Sequence, residues 1–214
     1  MRAITWVKER GAEFAELELG GGELRAAGVA VSGDPVPYRL EYELDCRDGF
    51  VTRRLSVRAW GAGWGRHLEL TRDPASGWAI DAGSDGDPGV PGAPPAGGDS
   101  SALAEALDCD LGECPVTNTM PVLRRGLLRG GDPAEFLMAF VRVPWLAVTP
   151  ALQRYTHLRS GPAFEPGLPW PGPLSVIRYV SGDFSADVTF DAEGVVVDYP
   201  GLGRMARAEP RRGC

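Results

Sequence analysis

The residues with chemistry to offer crowd into one stretch, Asp108–Arg125, which reads DCDLGECPVTNTMPVLRR. Asp108, Asp110 and Glu113 form a compact polar segment. A Thr117-Asn118-Thr119 turn follows, and Arg124 and Arg125 come soon after. Elsewhere such groups are scattered: Arg53 within an apolar strand row, Gln153, Tyr155 and His157 along a later strand, and Tyr199 near the end. The arginines offer planar, permanently charged donors suited to an anionic or polyhydroxylated head group. Arg53, Asp110, Tyr155 and His157 would do acid–base work if they converged in a cavity and one titrated far from its ordinary range. On a strand flank, His157 equally fits a structural role. Cys109 and Cys114 are spaced C-x4-C, with no second pair and no histidine nearby in sequence. The zinc spacing rules therefore favour buried thiols, and neither a metal nor another cofactor is expected.

Common catalytic signatures are missing. The chain has no G-x-S-x-G, no HExxH, no phosphate-binding loop and no dinucleotide fingerprint. Its 214 residues carry a net charge of −7, spread diffusely. Nucleic acid and anionic membrane surfaces both require a basic footprint, so neither is an expected partner. Met1–Arg10 lacks the apolar segment of a signal peptide, and no run approaches the ~20 apolar residues of a membrane helix. The expectation is a soluble, cytoplasmic protein without membrane insertion. Its oligomeric state stays open.

The elements that must position these groups read mainly as strands. Val36–Asp45 alternates strictly, with Tyr38, Leu40, Tyr42 and Leu44 on one face and charged residues on the other, as a half-buried antiparallel strand does. Arg47-Asp48-Gly49 turns the chain into a return strand, Phe50–Trp60. There Arg53 falls in the row of Val51, Leu55, Val57 and Ala59, a costly place unless it is paired or wet. Glu13–Leu19, Gly65–Thr71, Gly77–Ile80, Ala134–Val143 and Ala151–Arg159 read as further strands. So do Leu174–Ser181, Phe184–Asp191 and Val195–Tyr199. Leu24–Val31 is too short and glycine-interrupted to read as a helix. Asp81–Ser100 is dominated by Gly, Pro and Asp and reads as a mobile inserted loop. Gly161–Pro173 reads as a Pro-rich bend carrying Trp170, and residues 204–214 as a disordered tail. In the central stretch a short helix is expected after Asn118 or Thr119, either of which can cap it, with Gly130-Gly131 as its stop.

About ten short strands and one or two short helical segments make a mostly β fold: one strongly curved antiparallel sheet, a half-open barrel or β-roll, forming a single domain over residues 1–203. A curled sheet with a helix laid beside it encloses space that suits an apolar or amphipathic ligand.

Several segments carry a resemblance. Asp108–Arg125, V-T-R-R at Val51–Arg54, VPWLAVTPALQRYTHL at Val143–Leu158 and FSADVTFDAEGVVVDYPGL at Phe184–Leu202 together resemble the bacterial family named putative glycolipid-binding. The resemblance runs from about Glu13 to Arg204. It implies a fold similar to bacterial lipoprotein carrier and localisation factors, and binding of a lipid-like or glycolipid-like molecule, with no catalytic residues. On the family motif, Arg53, Asn118, Arg124, Arg125, Gln153, Tyr155 and Tyr199 become the candidate ligand-binding residues. The sequence departs from the pattern in the 81–100 insertion and in Cys114, which precedes the proline where Thr or Ser is more usual. The leading expectation is a non-catalytic binding protein for an amphipathic ligand held in the concave face. A protein–protein scaffold and an enzyme built on Arg53, Asp110, Tyr155 and His157 are the alternatives.

Overall fold

The computed structural model describes residues 1–161 and 172–206. The expectations for Trp170 and for most of the bend and the tail lie outside them. The described chain forms one sheet of 14 strands. In chain order these are β1 (Arg2–Lys8), β2 (Gly11–Gly20), β3 (Glu23–Ser32), β4 (Tyr38–Arg47), β5 (Val51–Gly61), β6 (Trp64–Asp73) and β7 (Gly77–Gly86). The second half holds β8 (Asp108–Leu111), β9 (Ala134–Arg142), β10 (Ala147–Gly161), β11 (Leu174–Ser181), β12 (Phe184–Phe190), β13 (Val196–Tyr199) and β14 (Gly203–Met205). Strands β1 to β7 form one antiparallel meander and β9 to β14 another. They join where β14 pairs with β1, and β8 adds to β9 in parallel. The sheet is open between β7 and β8.

Alternation explains the first half. Glu13, Ala15 and Leu17 of β2 turn inward while Phe14, Glu16 and Glu18 face out. Tyr38, Leu40, Tyr42, Leu44 and Cys46 of β4 form the next inward row. Small residues sit opposite large ones. An added Cβ at Gly28 would lie 2.4 Å from the Tyr42 ring. That clearance lets the ring lie across β3, so that its hydroxyl donates to Glu13 on β2 at 2.8 Å.

Between β8 and β9 the chain makes a 3-10 turn (Pro115–Asn118), the short helix α1 (Thr119–Arg124) and a second 3-10 turn (Leu127–Arg129). This segment plugs the curl. Val116 and Met120 pack into the core shared with β1–β7, and Val122 and Leu127 into a second core against β9–β13. Trp6 of β1 reaches across to donate its indole N–H to the Val196 carbonyl at 2.8 Å.

Several expectations are corrected. Asp81–Gly86 is not loop: β7 continues through it, paired residue by residue with β6. The rest of the 81–100 segment is tied down at Gly97, which exchanges backbone hydrogen bonds with Leu146 and Val148. Arg204 and Met205 are strand, paired with Val7 and Trp6. Asp108–Leu111 is a strand rather than part of a loop. Asn118 makes no capping bond to the helix.

Arg53 is not in the apolar row. Asp45 faces Arg54 while the next residue, Cys46, faces Thr52, so Arg53 is the extra residue of a β-bulge. The bulge reverses the alternation and turns Thr52 inward, fully buried. There the Thr52 hydroxyl accepts from the Cys109 N–H at 3.0 Å, and its own N–H donates to the Leu107 carbonyl at 3.1 Å. One bulge thus binds β5 to the incoming end of β8 and draws the open sheet into its curl.

Candidate functional site

A pocket of about 340 Å³ opens on the face of β9–β13 that also carries the helical segment. Asp110, Glu113, Asn118, Phe140, Tyr179, Phe184 and Tyr199 are among its lining. Each is delivered by pattern. Strand β8 alternates Cys109 and Leu111 toward the main core, leaving Asp108 and Asp110 for the other side. Strand β11 places Tyr179 beside Ala186 of β12, and the Ser181–Phe184 pair sits at the hairpin end.

The floor is a directional relay of buried polar side chains. Asn118 Nδ2 donates to the Tyr155 hydroxyl at 3.0 Å, and Tyr155 donates to Gln153 Oε1 at 3.1 Å. Gln153 Nε2 donates to Asp110 Oδ2 at 2.6 Å, and Thr117 donates to Asp110 Oδ1 at 2.7 Å. Burial pushes the Asp110 carboxyl above its ordinary range, against the Thr117 and Gln153 bonds, which favour the charged form. Burial also holds the Tyr155 phenol well above its usual value, aided by the Asp110 charge. Two of roughly four lone-pair sites on Asp110 are filled. Among the described residues, neither the Asn118 amide oxygen nor the Tyr199 hydroxyl has a hydrogen-bond partner.

The wall is aromatic. Tyr179, Phe184 and Tyr199 touch one another with ring centroids 6.0–6.3 Å apart. Phe184 is 48% exposed and stands at the mouth.

The structure therefore brings Asn118 and Tyr199 to the pocket and sets Gln153 and Tyr155 directly beneath it. It takes the arginines elsewhere. Arg124 makes a two-point salt bridge to the fully buried Asp108 and lies over the Phe136 ring. Arg125 is exposed at the end of α1, and Arg53 is half-exposed at its bulge. His157 meets the Leu127 carbonyl through Nδ1 at 2.8 Å, apart from the Asp110 relay. The four residues of the enzyme alternative do not converge: Asp110 and Tyr155 share the relay, while His157 and Arg53 have other surroundings.

A second buried polar cluster was hidden in the sequence. Lys8, the single lysine of the chain, pairs with Glu13 at 2.5 Å and donates to the Glu113 carbonyl. Glu13 also receives Tyr42, and Cys114 lies beside it. Burial lowers the Lys8 pKa, but the surrounding negative groups, Glu13 foremost among the carboxylates, carry it above its ordinary value. Lys8 thus fixes the Glu113 turn from inside. Cys109 and Cys114 end in different surroundings, one against Thr52 and the other near Glu13.

A family model described as "Putative glycolipid-binding" matches residues 3–205. The chain belongs to that family. Its fold is also that of a DUF1089 family protein from Pseudomonas aeruginosa known by crystallography. The two are 24% identical over 89% of this chain and 90% of the other, with a TM-score of 0.62. Curated proteins give no match. In this chain, no helix among the described residues is long and apolar enough to cross a membrane.

Proposed function

We propose that the chain binds an amphipathic, glycolipid-like ligand without transforming it, and that the head group seats in the Asp110–Tyr199 pocket. One observation carries this: a partly satisfied polar relay forms the floor of a pocket whose wall is aromatic. A sugar ring has an apolar C–H face and a polar hydroxyl edge, and this pocket offers one surface for each. At about 340 Å³ the pocket lies near the low end of small-molecule sites, ~300–1,000 Å³, which suits a head group rather than a whole lipid. Phe184 and Leu202 at the rim would meet the first apolar atoms of the tail.

The charge of the lining supports an uncharged head. Asp110 and Glu113 are acids, and none of the described lining residues is cationic. The neighbouring cations are engaged, Arg124 by Asp108 and Lys8 by Glu13. A phosphate or carboxylate would meet a buried acid with no compensating charge.

The test is calorimetric titration with octyl β-glucoside and octyl β-galactoside below their micellar concentrations, beside octyl phosphate. Saturable binding of a glycoside that Tyr179→Ala weakens, with none for octyl phosphate, supports the reading. Binding of octyl phosphate alone, or no binding of any of the three, overturns it.

A further inference from the structure

Beside the pocket lies a second chamber of about 260 Å³, lined by Lys8, Arg10, Ser32, Asp34, Tyr38 and others. The two chambers share Glu113, Gly201 and Leu202 as lining. The residues they share are held in place by hydrogen bonds. Lys8 holds the Glu113 carbonyl, the Leu202 N–H donates to Tyr199, and the Glu9 N–H donates to the Leu202 carbonyl. The two chambers differ in chemistry. The first has three touching rings; the second is lined mainly by polar and charged side chains, with Lys8 paired to Glu13, Arg10 paired to Asp34, and Glu9 and Glu113 beside them.

We infer that the site is bipartite and takes a head group of at least two uncharged sugar units, the first ring in the aromatic pocket and the second in the polar chamber beyond Glu113 and Leu202. This rests on the head-group reading of the first pocket. The second unit needs hydrogen-bonding partners, and Tyr38, Ser32 and the Arg10 guanidinium are polar groups on that lining. Both cations on that lining are engaged, Lys8 by Glu13 and Arg10 by Asp34, and Glu9 and Glu113 add acids, so the chamber offers partners to hydroxyls without calling for an anion.

The experiment compares glycosides with the same octyl tail: β-glucoside and β-galactoside against β-maltoside and β-lactoside, by calorimetry, on the wild-type chain, Tyr38→Phe and Arg10→Ala. Arg10 is exposed and Tyr38→Phe removes one oxygen, so both variants keep the fold. At least one disaccharide is expected to bind about tenfold tighter than its monosaccharide counterpart, the worth of one or two net hydrogen bonds. In the variants that advantage shrinks to about threefold or less, while monosaccharide binding stays unchanged. Equal affinity for both head lengths in both sugar series overturns the two-chamber site and leaves the pocket reading standing. So does an equal loss for both lengths in the variants. Absence of all glycoside binding overturns both.

Discussion

Gln153 of β10 donates to Asp110 of β8 across the intervening strand β9 at 2.6 Å. Because Tyr155 gives its own proton to the Gln153 oxygen, the Gln153 nitrogen must face the acid. The direction of the relay is fixed from Asn118 to Asp110, and the acid is the acceptor at its end. This arrangement makes Asp110 both the costliest group on the pocket floor and the best placed to meet a ligand hydroxyl.

Asp110→Asn should separate those two roles. Burial raises the Asp110 pKa, so the folded chain retains a proton that the unfolded chain releases near pH 3.9. Stability therefore falls as pH rises from about that value through the folded pKa, and the cost of charging is complete above it. Asparagine carries no such cost. Its oxygen can accept from Gln153 and its nitrogen can donate to Thr117, whose proton turns to the Cys114 carbonyl 3.1 Å away. The expected result is a higher melting temperature than wild type at pH 7, with the gap closing as pH falls below about 4. Octyl glycoside affinity should drop roughly tenfold through loss of an acceptor oxygen facing the ligand. A lower melting temperature at pH 7 would show that the two bonds outweigh burial.

Arg124 is assigned here to structure rather than ligand. Arg124→Met would leave Asp108, fully buried, without its guanidinium. Breaking one side of a buried pair costs about 3–5 kcal/mol. The loss should be largest at neutral pH and shrink under acid conditions, because burial already raises the Asp108 pKa and removing Arg124 raises it further. Asp108→Asn combined with Arg124→Met should recover most of the stability. Urea denaturation of the single and double variants checks this, and a double variant as unstable as the single one would refute it.

The clearance at Gly28 gives a third prediction. Gly28→Ala puts a methyl group where the Tyr42 ring lies, with an ideal Cβ 2.4 Å from its nearest atom. The ring must move, and its bond to Glu13 goes with it. Overpacking of this kind costs about 1–3 kcal/mol, and the lost bond to a buried acid adds to it. A midpoint in urea unchanged from wild type would mean that the ring has an alternative seat.

Strand content was legible because strict alternation at Glu13–Leu19 and Val36–Asp45 leaves one side chain in two facing the core. Asn118, Gln153, Tyr155 and Tyr199 were named as candidates through the family motif; the structure puts Asn118 and Tyr199 on the lining of one pocket and joins Tyr155 and Gln153 to Asn118 by hydrogen bonds. Tyr179 and Phe184 were read simply as strand residues, because alternation gives their face but not what lies across it. Lys8 and Glu13 sit on adjacent paired strands whose partnership the local pattern does not reveal. The strands β1 and β14 were missed for a related reason. Residues from the two chain ends pair with each other, and β14 has three residues, too few for a period to show. The reading of Arg53 failed through parity: one extra residue exchanges inward and outward positions on either side of it, and nothing local in Val51–Arg54 marks the slip.

That slip yields the last prediction. If the bulge places Thr52 inward to hold β8, Thr52 and Arg53 should behave oppositely to the unbroken alternation of the sequence. Thr52→Val preserves shape but deprives the buried Cys109 N–H of its acceptor at 3.0 Å. An unsatisfied buried donor costs about 1–3 kcal/mol. Arg53→Ala alters a half-exposed side chain away from the pocket, so it should change stability by no more than about 0.5 kcal/mol and leave glycoside binding intact. Amide exchange would localise the first effect: in Thr52→Val the Cys109 amide should lose protection ahead of those in β4. If Arg53→Ala instead abolished binding while Thr52→Val changed nothing, the arginine would belong to the ligand site and the bulge would have no part in closing the curl.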